Sequence, residues 1–233
     1  MKKVTEWSGQ YMANKPFPHI VLDNIFDEKK LKDAVREFPP VDDPRWFSCP
    51  EIKGELRKKQ AIWDFLKMPD QLALISMELN AGPFVQFLEK LTGVEPLVAD
   101  PHLYGGGLHQ VGPGGSLGVH CDHNINPRVL LYRRVTAILY LNDDWSEEYG
   151  GQIELWSSDM KECVVKVLPS FGRMVIFSNS ETSFHGHPDP LKCPEGMTRK
   201  SIAAYFDSVK PHPSHTEEHH RALFQTRPTE NLV

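Results

Sequence analysis

Only four cysteines occur in the chain, Cys49, Cys121, Cys163 and Cys193, and no two of them form a Cys-x-x-Cys pair. That scarcity and spacing argue against a zinc knuckle and against a disulfide scaffold, and make reduced thiols in a cytosol the expectation. Long hydrophobic runs are missing too, so no segment reads as a membrane span. Met1-Lys2-Lys3 leads into Val4-Thr5-Glu6-Trp7 rather than into an apolar leader. A soluble, cytoplasmic protein without a membrane partner is expected. Nor is there an excess of basic charge: the formal net charge is -5. The short clusters Arg57-Lys58-Lys59 and Arg133-Arg134 read as solvated faces, which excludes a nucleic-acid footprint. Nothing in the pattern sets an oligomeric state.

What is present is a chain of 233 residues, 40% hydrophobic and 24% charged, enough for one sizeable core and too short to require two. A single domain over 1–233 is expected. Pro18-His19-Ile20-Val21-Leu22 reads as a strand, and Asp27 can cap a helix that buries Leu31, Ala34, Val35 and Phe38 before Pro39-Pro40 stops it. Residues 41–60 read as an irregular loop in which Trp46 and Phe47 either cover a pocket or anchor the loop to the core. Two further helical patterns fill Asp70 to Thr92, divided by Gly82-Pro83 and closed by Gly93.

From Val94 the texture changes to short apolar runs punctuated by Gly, Pro, Asn and Asp. Strands are expected near Leu97 and over 103–111, 135–141, 153–156, 164–168, 174–177 and 201–206. The fold class is therefore mostly β (α+β): an antiparallel jelly roll over 94–210, helices of a 1–93 support region packed on one sheet, and a tail over 211–233. That tail holds His212, His215, His219 and His220, four of the eleven histidines. A solvated terminus leading into Ala222-Leu223-Phe224 is the expectation over a metal site.

Residues two apart on a strand share a face, so His120 and Asp122 can offer an imidazole and a carboxylate to one metal ion. The chain's other His-x-Asp, His187-Pro188-Asp189, has a proline at its centre and sits badly in a ladder. A second imidazole from a distant strand would complete a two-histidine, one-carboxylate set with open positions, which suits non-heme Fe(II) and O₂. Periodicity does not separate His185 from His187 for that part. His185 follows Phe184 directly whereas His187 begins a proline-rich loop, so His185 is favoured. Further on, Arg199 has the shape to clamp a carboxylate through two parallel hydrogen bonds, and Ser201 shares its face. A zinc hydrolase could use the same three ligands but would leave Arg199 without a purpose.

The order His120-x-Asp122, an apolar strand ending Tyr140-Leu141-Asn142-Asp143-Asp144-Trp145, Gly150-Gly151 before Ile153-Glu154-Leu155, the distal histidine and Thr198-Arg199-x-x-Ile202-x-x-Tyr205-Phe206-Asp207 resembles the prolyl hydroxylase-type Fe(II)/2-oxoglutarate-dependent dioxygenases. The resemblance covers roughly Leu103 to Val209. It implies a double-stranded β-helix in which His120, Asp122 and His185 hold Fe(II), with 2-oxoglutarate as cosubstrate, O₂ as oxidant and ascorbate as a possible addition. It also implies that Arg199 binds the distal carboxylate of 2-oxoglutarate, that Tyr140 and Ser201 assist, and that Thr136 and Gln110 line the cosubstrate site. The implied activity is hydroxylation of an unactivated C–H bond, of a prolyl residue in a peptide or protein, with release of succinate and CO₂. The same chemistry on a free amino acid, a sugar or a natural-product small molecule is an alternative, and a non-catalytic jelly-roll binding module is another.

Overall fold

The run Val135-Thr136-Ala137-Ile138-Leu139-Tyr140 sorts itself by strand parity: Val135, Ala137 and Leu139 bury against helices, while Thr136, Ile138 and Tyr140 turn to the opposite face. A layered molecule is built around that division. A computed structural model describes residues 2–52, 55–215 and 218–228. In chain order its elements are α1 (Lys2–Ala13), β1 (His19–Leu22), α2 (Glu28–Arg36), β2 (Phe47–Ser48), β3 (Leu56–Ile62), α3 (Asp70–Asn80) and α4 (Gly82–Thr92). Then come β4 (Val98–Ala99), β5 (Gly107–Cys121), β6 (Ile125–Asn126), β7 (Leu131–Tyr140), β8 (Ile153–Trp156), β9 (Cys163–Val167) and β10 (Met174–Ser178). The last three are β11 (His185–His187), β12 (Arg199–Ser208) and β13 (Leu223–Phe224).

Among the described residues the strands form one antiparallel path, β1-β10-β7-β12-β5-β11-β8-β9. The hairpin β2-β3 joins through β3 to β5, and β13 also pairs with β5. The sheet curls on itself, and its long strand β5 serves both walls: its first part pairs with β12 and its last part with β11. The glycine-rich stretch Gly112-Pro113-Gly114-Gly115 is a bend inside this one strand, with Gly114 at φ +74°.

Helices cover the outer face. Asp27 caps α2 by accepting a hydrogen bond from Lys30 N at 2.8 Å, and α2 lays Leu31 and Ala34 against the sheet. Leu72, Ile75 and Leu79 of α3 and Leu88 and Leu91 of α4 fill the same layer, and Gly93 at φ +69° closes α4. The sequence reading has no counterpart for α1, whose Tyr11 is fully buried with its hydroxyl 2.7 Å from Ser178 Oγ. The inner face carries a second core of Phe17, Ile153, Leu155, Val175 and Phe177. The open end of this barrel is where the polar side chains gather.

Three expectations fail in the same way. The supposed loop at 41–60 holds β2 and the start of β3. Trp46 is buried against Phe38, with ring centroids 5.7 Å apart, so it anchors; Phe47 is exposed and meets Trp63 edge to face at 5.0 Å. Neither basic cluster is simply solvated, since Arg133 and Arg134 are buried and Lys59 points into the barrel. The tail is docked rather than free: Leu223 and Phe224 pair with Cys121 and His120, and His220 Nε2 lies 2.6 Å from a Glu181 carboxylate oxygen. Thr216 and Glu217 of that tail lie outside the described residues.

Candidate active site

Cross-strand register assembles the site. His185 on β11 pairs with His120 on β5, which pairs in turn with Phe224 on β13, so two imidazoles and a phenyl ring lie side by side across three strands. The ring centroids are 4.6 Å apart for His120 and His185 and 5.1 Å for His120 and Phe224. Asp122 sits one residue past the end of β5 and keeps the side that His120 faces. One ligand atom from each of His120, Asp122 and His185 falls within 4.8 Å of the other two.

The donor set fits a metal ion in its hydrogen bonding as well as its spacing. His120 Nδ1 lies 2.8 Å from Gly118 O and His185 Nδ1 lies 2.9 Å from Ser183 O, so each ring is held through Nδ1 and offers Nε2 to the centre. Those Nε2 atoms stand 3.6 and 3.9 Å from the two Asp122 oxygens. Thr136 Oγ1 donates to Asp122 Oδ2 at 3.2 Å and accepts from Asn179 Nδ2 at 2.8 Å, which fixes the carboxylate's rotation. Burial opposes the Asp122 charge, but the adjacent His120 and His185 imidazoles and the Arg133 guanidinium outweigh it and hold the carboxyl well below the usual range. Burial pushes the His185 imidazole down to about 4, keeping it in the neutral form that binds metals.

A cavity of about 240 Å³ extends from these three residues to Arg199. Arg199 Nε donates to Gly151 O at 2.7 Å and Nη2 donates to Tyr140 Oη at 3.2 Å, with the guanidinium 4.9 Å from the Tyr140 ring centroid. Its Nη1 makes no protein hydrogen bond among the described residues and remains available to an anion in the cavity. Gly151, at φ +74°, is required here: a Cβ would lie 2.9 Å from Arg199 Cδ and 2.7 Å from Leu191 Cδ2.

Of the other residues singled out from sequence, Ser201 and Thr136 line the cavity and Tyr140 reaches it through Arg199. Gln110 is a correction. It faces away from the cavity, with its amide held by Gln60 Oε1 at 2.9 Å and Thr198 Oγ1 at 3.0 Å, and strand parity gives its place to His109. His187 also lines the cavity, but a register shift between His185 and His187 leaves its ring out of the convergent set. Sequence reasoning passed over Lys59, His109, Asn179 and Phe224; alternation from His120 along β5 points to Gln110, and it is the bend at residues 112–115 that turns His109 to the cavity side instead.

Gly186 permits the close approach of β11 to β5. A Cβ there would lie 2.7 Å from Gly118 O and 2.8 Å from Leu117 O, both backbone atoms. Gly186→Ala is expected to cost about 1–3 kcal/mol by overpacking and to separate His185 from His120. Thermal unfolding together with Mn(II) titration checks both effects, and a variant with unaltered melting and metal affinity would show that the strands yield freely.

Residues 106–207 match the family model described as the 2OG-Fe(II) oxygenase superfamily. The prolyl 3,4-dihydroxylase OGFOD1 of Ostreococcus tauri is 27% identical over 226 residues, covering 88% of this chain and 39% of that protein. The prolyl 3-hydroxylase OGFOD1 of Mus musculus is 29% identical over 109 residues, 40% of this chain and 20% of that protein. The chain thus spans well under half the length of these curated relatives. Among solved structures, a Trichoplax adhaerens prolyl hydroxylase in complex with a hypoxia inducible factor peptide superposes with a TM-score of 0.62 at 17% identity, covering 89% of this chain and 91% of that one. A Pseudomonas putida prolyl-4-hydroxylase gives 0.58 at 19% identity, covering 88% and 98%. Over residues 106–207 the chain is similar to the 2OG-Fe(II) oxygenase superfamily. Within it, the resemblance in sequence and fold is to the prolyl hydroxylase type, and the barrel is the double-stranded β-helix of that class.

Proposed function

We propose that this domain is an Fe(II)- and 2-oxoglutarate-dependent dioxygenase that hydroxylates a prolyl residue in a peptide or protein, releasing succinate and CO₂. The observation that carries the reading is the union, in one cavity, of the His120, Asp122 and His185 donor atoms with an arginine whose Nη1 is free. Fe(II) with 2-oxoglutarate supplies the chemistry that places one oxygen atom of O₂ in a C–H bond while the cosubstrate is cleaved. The chain's residues do the remaining work. His120, Asp122 and His185 would hold the metal on one side only, leaving the opposite positions open. Arg199, with Tyr140 steering its guanidinium and Ser201 beside it, would fix the distal carboxylate, and so set the angle at which the cosubstrate meets the metal. Phe224, Phe177 and Ile153 wall the centre with apolar surface that excludes water.

A substrate in an extended segment is supported by the groove of about 760 Å³ that leads to this cavity past Phe47, Trp63 and Tyr104. The prolyl character of the related enzymes supports the choice of residue. Four unbridged cysteines support a reducing compartment, the cytoplasm; no described helix is long and apolar enough to cross a membrane.

The test is anaerobic addition of Fe(II) and 2-oxoglutarate while recording the weak visible absorption of their chelate, followed by succinate release against proline-containing peptides. Folded protein that gives no chelate absorption would overturn the reading. Arg199→Ala is expected to weaken 2-oxoglutarate roughly 30-fold or more, because it removes a buried charged partner, and to spare Mn(II) affinity. Unchanged cosubstrate affinity in that variant would mean that another group holds the carboxylate.

A further inference from the structure

Lys59 is the cation that the metal and cosubstrate machinery does not use. It enters the barrel because β3 bulges: Lys58 takes φ +49° and the β3–β5 register shifts between Arg57 and Lys59. Lys59 then pairs with Val111, which pairs on its other side with Arg199, so lysine and arginine stand in one row across three strands. Lys59 lines both the inner cavity and the outer groove, as do Cys49 and His109. It is half-buried, and among the described residues its ammonium makes no hydrogen bond or ion pair. Burial holds its pKa below that of a free lysine. A partly desolvated cation with no protein partner is a position at which an incoming anion is stabilised.

The groove beyond it has the same sign. Arg128 and Arg221 line it, both exposed; among the described residues neither has a side-chain partner and no Asp or Glu lines the groove. The chain as a whole runs the other way, with 31 Asp and Glu against 26 Lys and Arg. The aromatic pair Phe47 and Trp63 forms an apolar wall of the groove, of the kind that proline-containing extended segments dock against. Three separate cations without a basic stripe do not make a track for a phosphate backbone, and a peptide is the occupant these features fit.

We propose that the substrate is an acidic peptide segment, with a carboxylate side chain next to the residue to be hydroxylated, and that Lys59 reads that carboxylate while Arg128 and Arg221 hold further acidic residues along the groove. The inference rests on the oxygenase reading and adds the substrate's charge to it.

The experiment uses fluorescein-labelled short peptides with a central proline in a Gly and Ser background, flanked by Glu, by Gln or by Lys. They are titrated by anisotropy against protein held with Mn(II) and 2-oxoglutarate, which does not turn over. The Glu peptide is expected to bind about tenfold tighter than the Gln peptide, and the Lys peptide to bind weakest. Lys59→Met should remove most of that preference and leave the Gln peptide's affinity nearly unchanged. Arg128→Ala, at an exposed position that folding does not need, should weaken the Glu peptide a few-fold. Equal affinities for all three peptides, or no binding of any, would overturn the proposal. So would displacement of the Glu peptide by a single-stranded oligonucleotide at lower concentration than by unlabelled peptide. A Lys59→Met variant that loses 2-oxoglutarate affinity in step with peptide affinity would make Lys59 a cosubstrate clamp and overturn it as well. Wild-type protein that binds no 2-oxoglutarate sinks the oxygenase reading itself, whereas cosubstrate binding without charge preference sinks only this inference.

Discussion

Replacing His185 by alanine is expected to lower 2-oxoglutarate-dependent succinate release by at least about 100-fold, a loss that can follow even from removing a group that merely orients a metal ligand. His187→Ala is expected to leave Mn(II) affinity in place. The two histidines are equally buried and both line the cavity, so burial does not separate them. Their backbone settings do. His185 is paired directly with His120 and held by Ser183 O through Nδ1, so that its Nε2 faces Asp122. His187 follows the register shift and pairs with Leu117, and its Nδ1 is buried with no partner. Burial first, and then the Arg199 charge, hold the His187 imidazole well below the ordinary histidine pKa, so it stays neutral beside the arginine. Titrating Mn(II) into each variant, with melting curves as the folding control, decides the matter. Loss of the metal in His187→Ala with retention in His185→Ala would reverse the assignment.

Strand parity explains how much of this could be read in advance. Once Val135 to Leu141 is taken as a strand, Thr136 and Tyr140 share a face, and both lie on the barrel side. His120 and Asp122 share a side by the same rule, although the strand itself stops at Cys121. Gln110 shows the rule's weakness: an error of one residue turns the side chain through the sheet, and only the register against Lys200 and Gln60 reveals which way it points.

What could not be read depends on contacts distant in sequence. The α1 helix buries little beyond Trp7 and Tyr11, so its apolar stripe is too thin to register as a helical pattern. The residues of β3 are mostly charged or polar over 57–60 and contain a bulge, which hides a strand from any periodicity test. The tail docks because β13 finds the exposed edge of β5 and because His215 and His220 find Glu181, pairings that nothing within residues 211–227 announces. Arg133-Arg134 has the composition of a surface pair. Its burial is set by acids that lie 33 residues before Arg133, at Asp100, and 74 after it, at Asp207.

That buried arginine carries the largest stability effect expected of any single change. The Arg133 side chain is fully buried, with Nη2 3.7 Å from Asp100 Oδ2 and Nε 3.6 Å from Asp207 Oδ1, distances of charge contact rather than of hydrogen bonding. Its guanidinium carbon lies 3.6 Å from the Tyr205 ring centroid, and Nη2 donates to Tyr104 O at 3.1 Å. Arg133→Ala removes the cation shared by two buried carboxylates and is expected to cost about 3–5 kcal/mol. The damage should reach the site, because Tyr104, Gly105 and Tyr205 wall the groove and cavity. The pH dependence follows from Asp207. Burial already raises its pKa in the wild type against the lowering effect of Arg133, so loss of the arginine raises it further. A carboxyl whose folded pKa exceeds its unfolded one binds more protons in the native state, and stability then falls as pH rises through the folded value. The deficit of Arg133→Ala should therefore shrink as pH is lowered below the raised Asp207 pKa, and adding Asp207→Asn should recover part of it at neutral pH. Denaturant unfolding of the single and double variants across pH measures both, and a deficit independent of pH and unrelieved by the second substitution would show that the arginine acts through packing on Tyr205 rather than through charge.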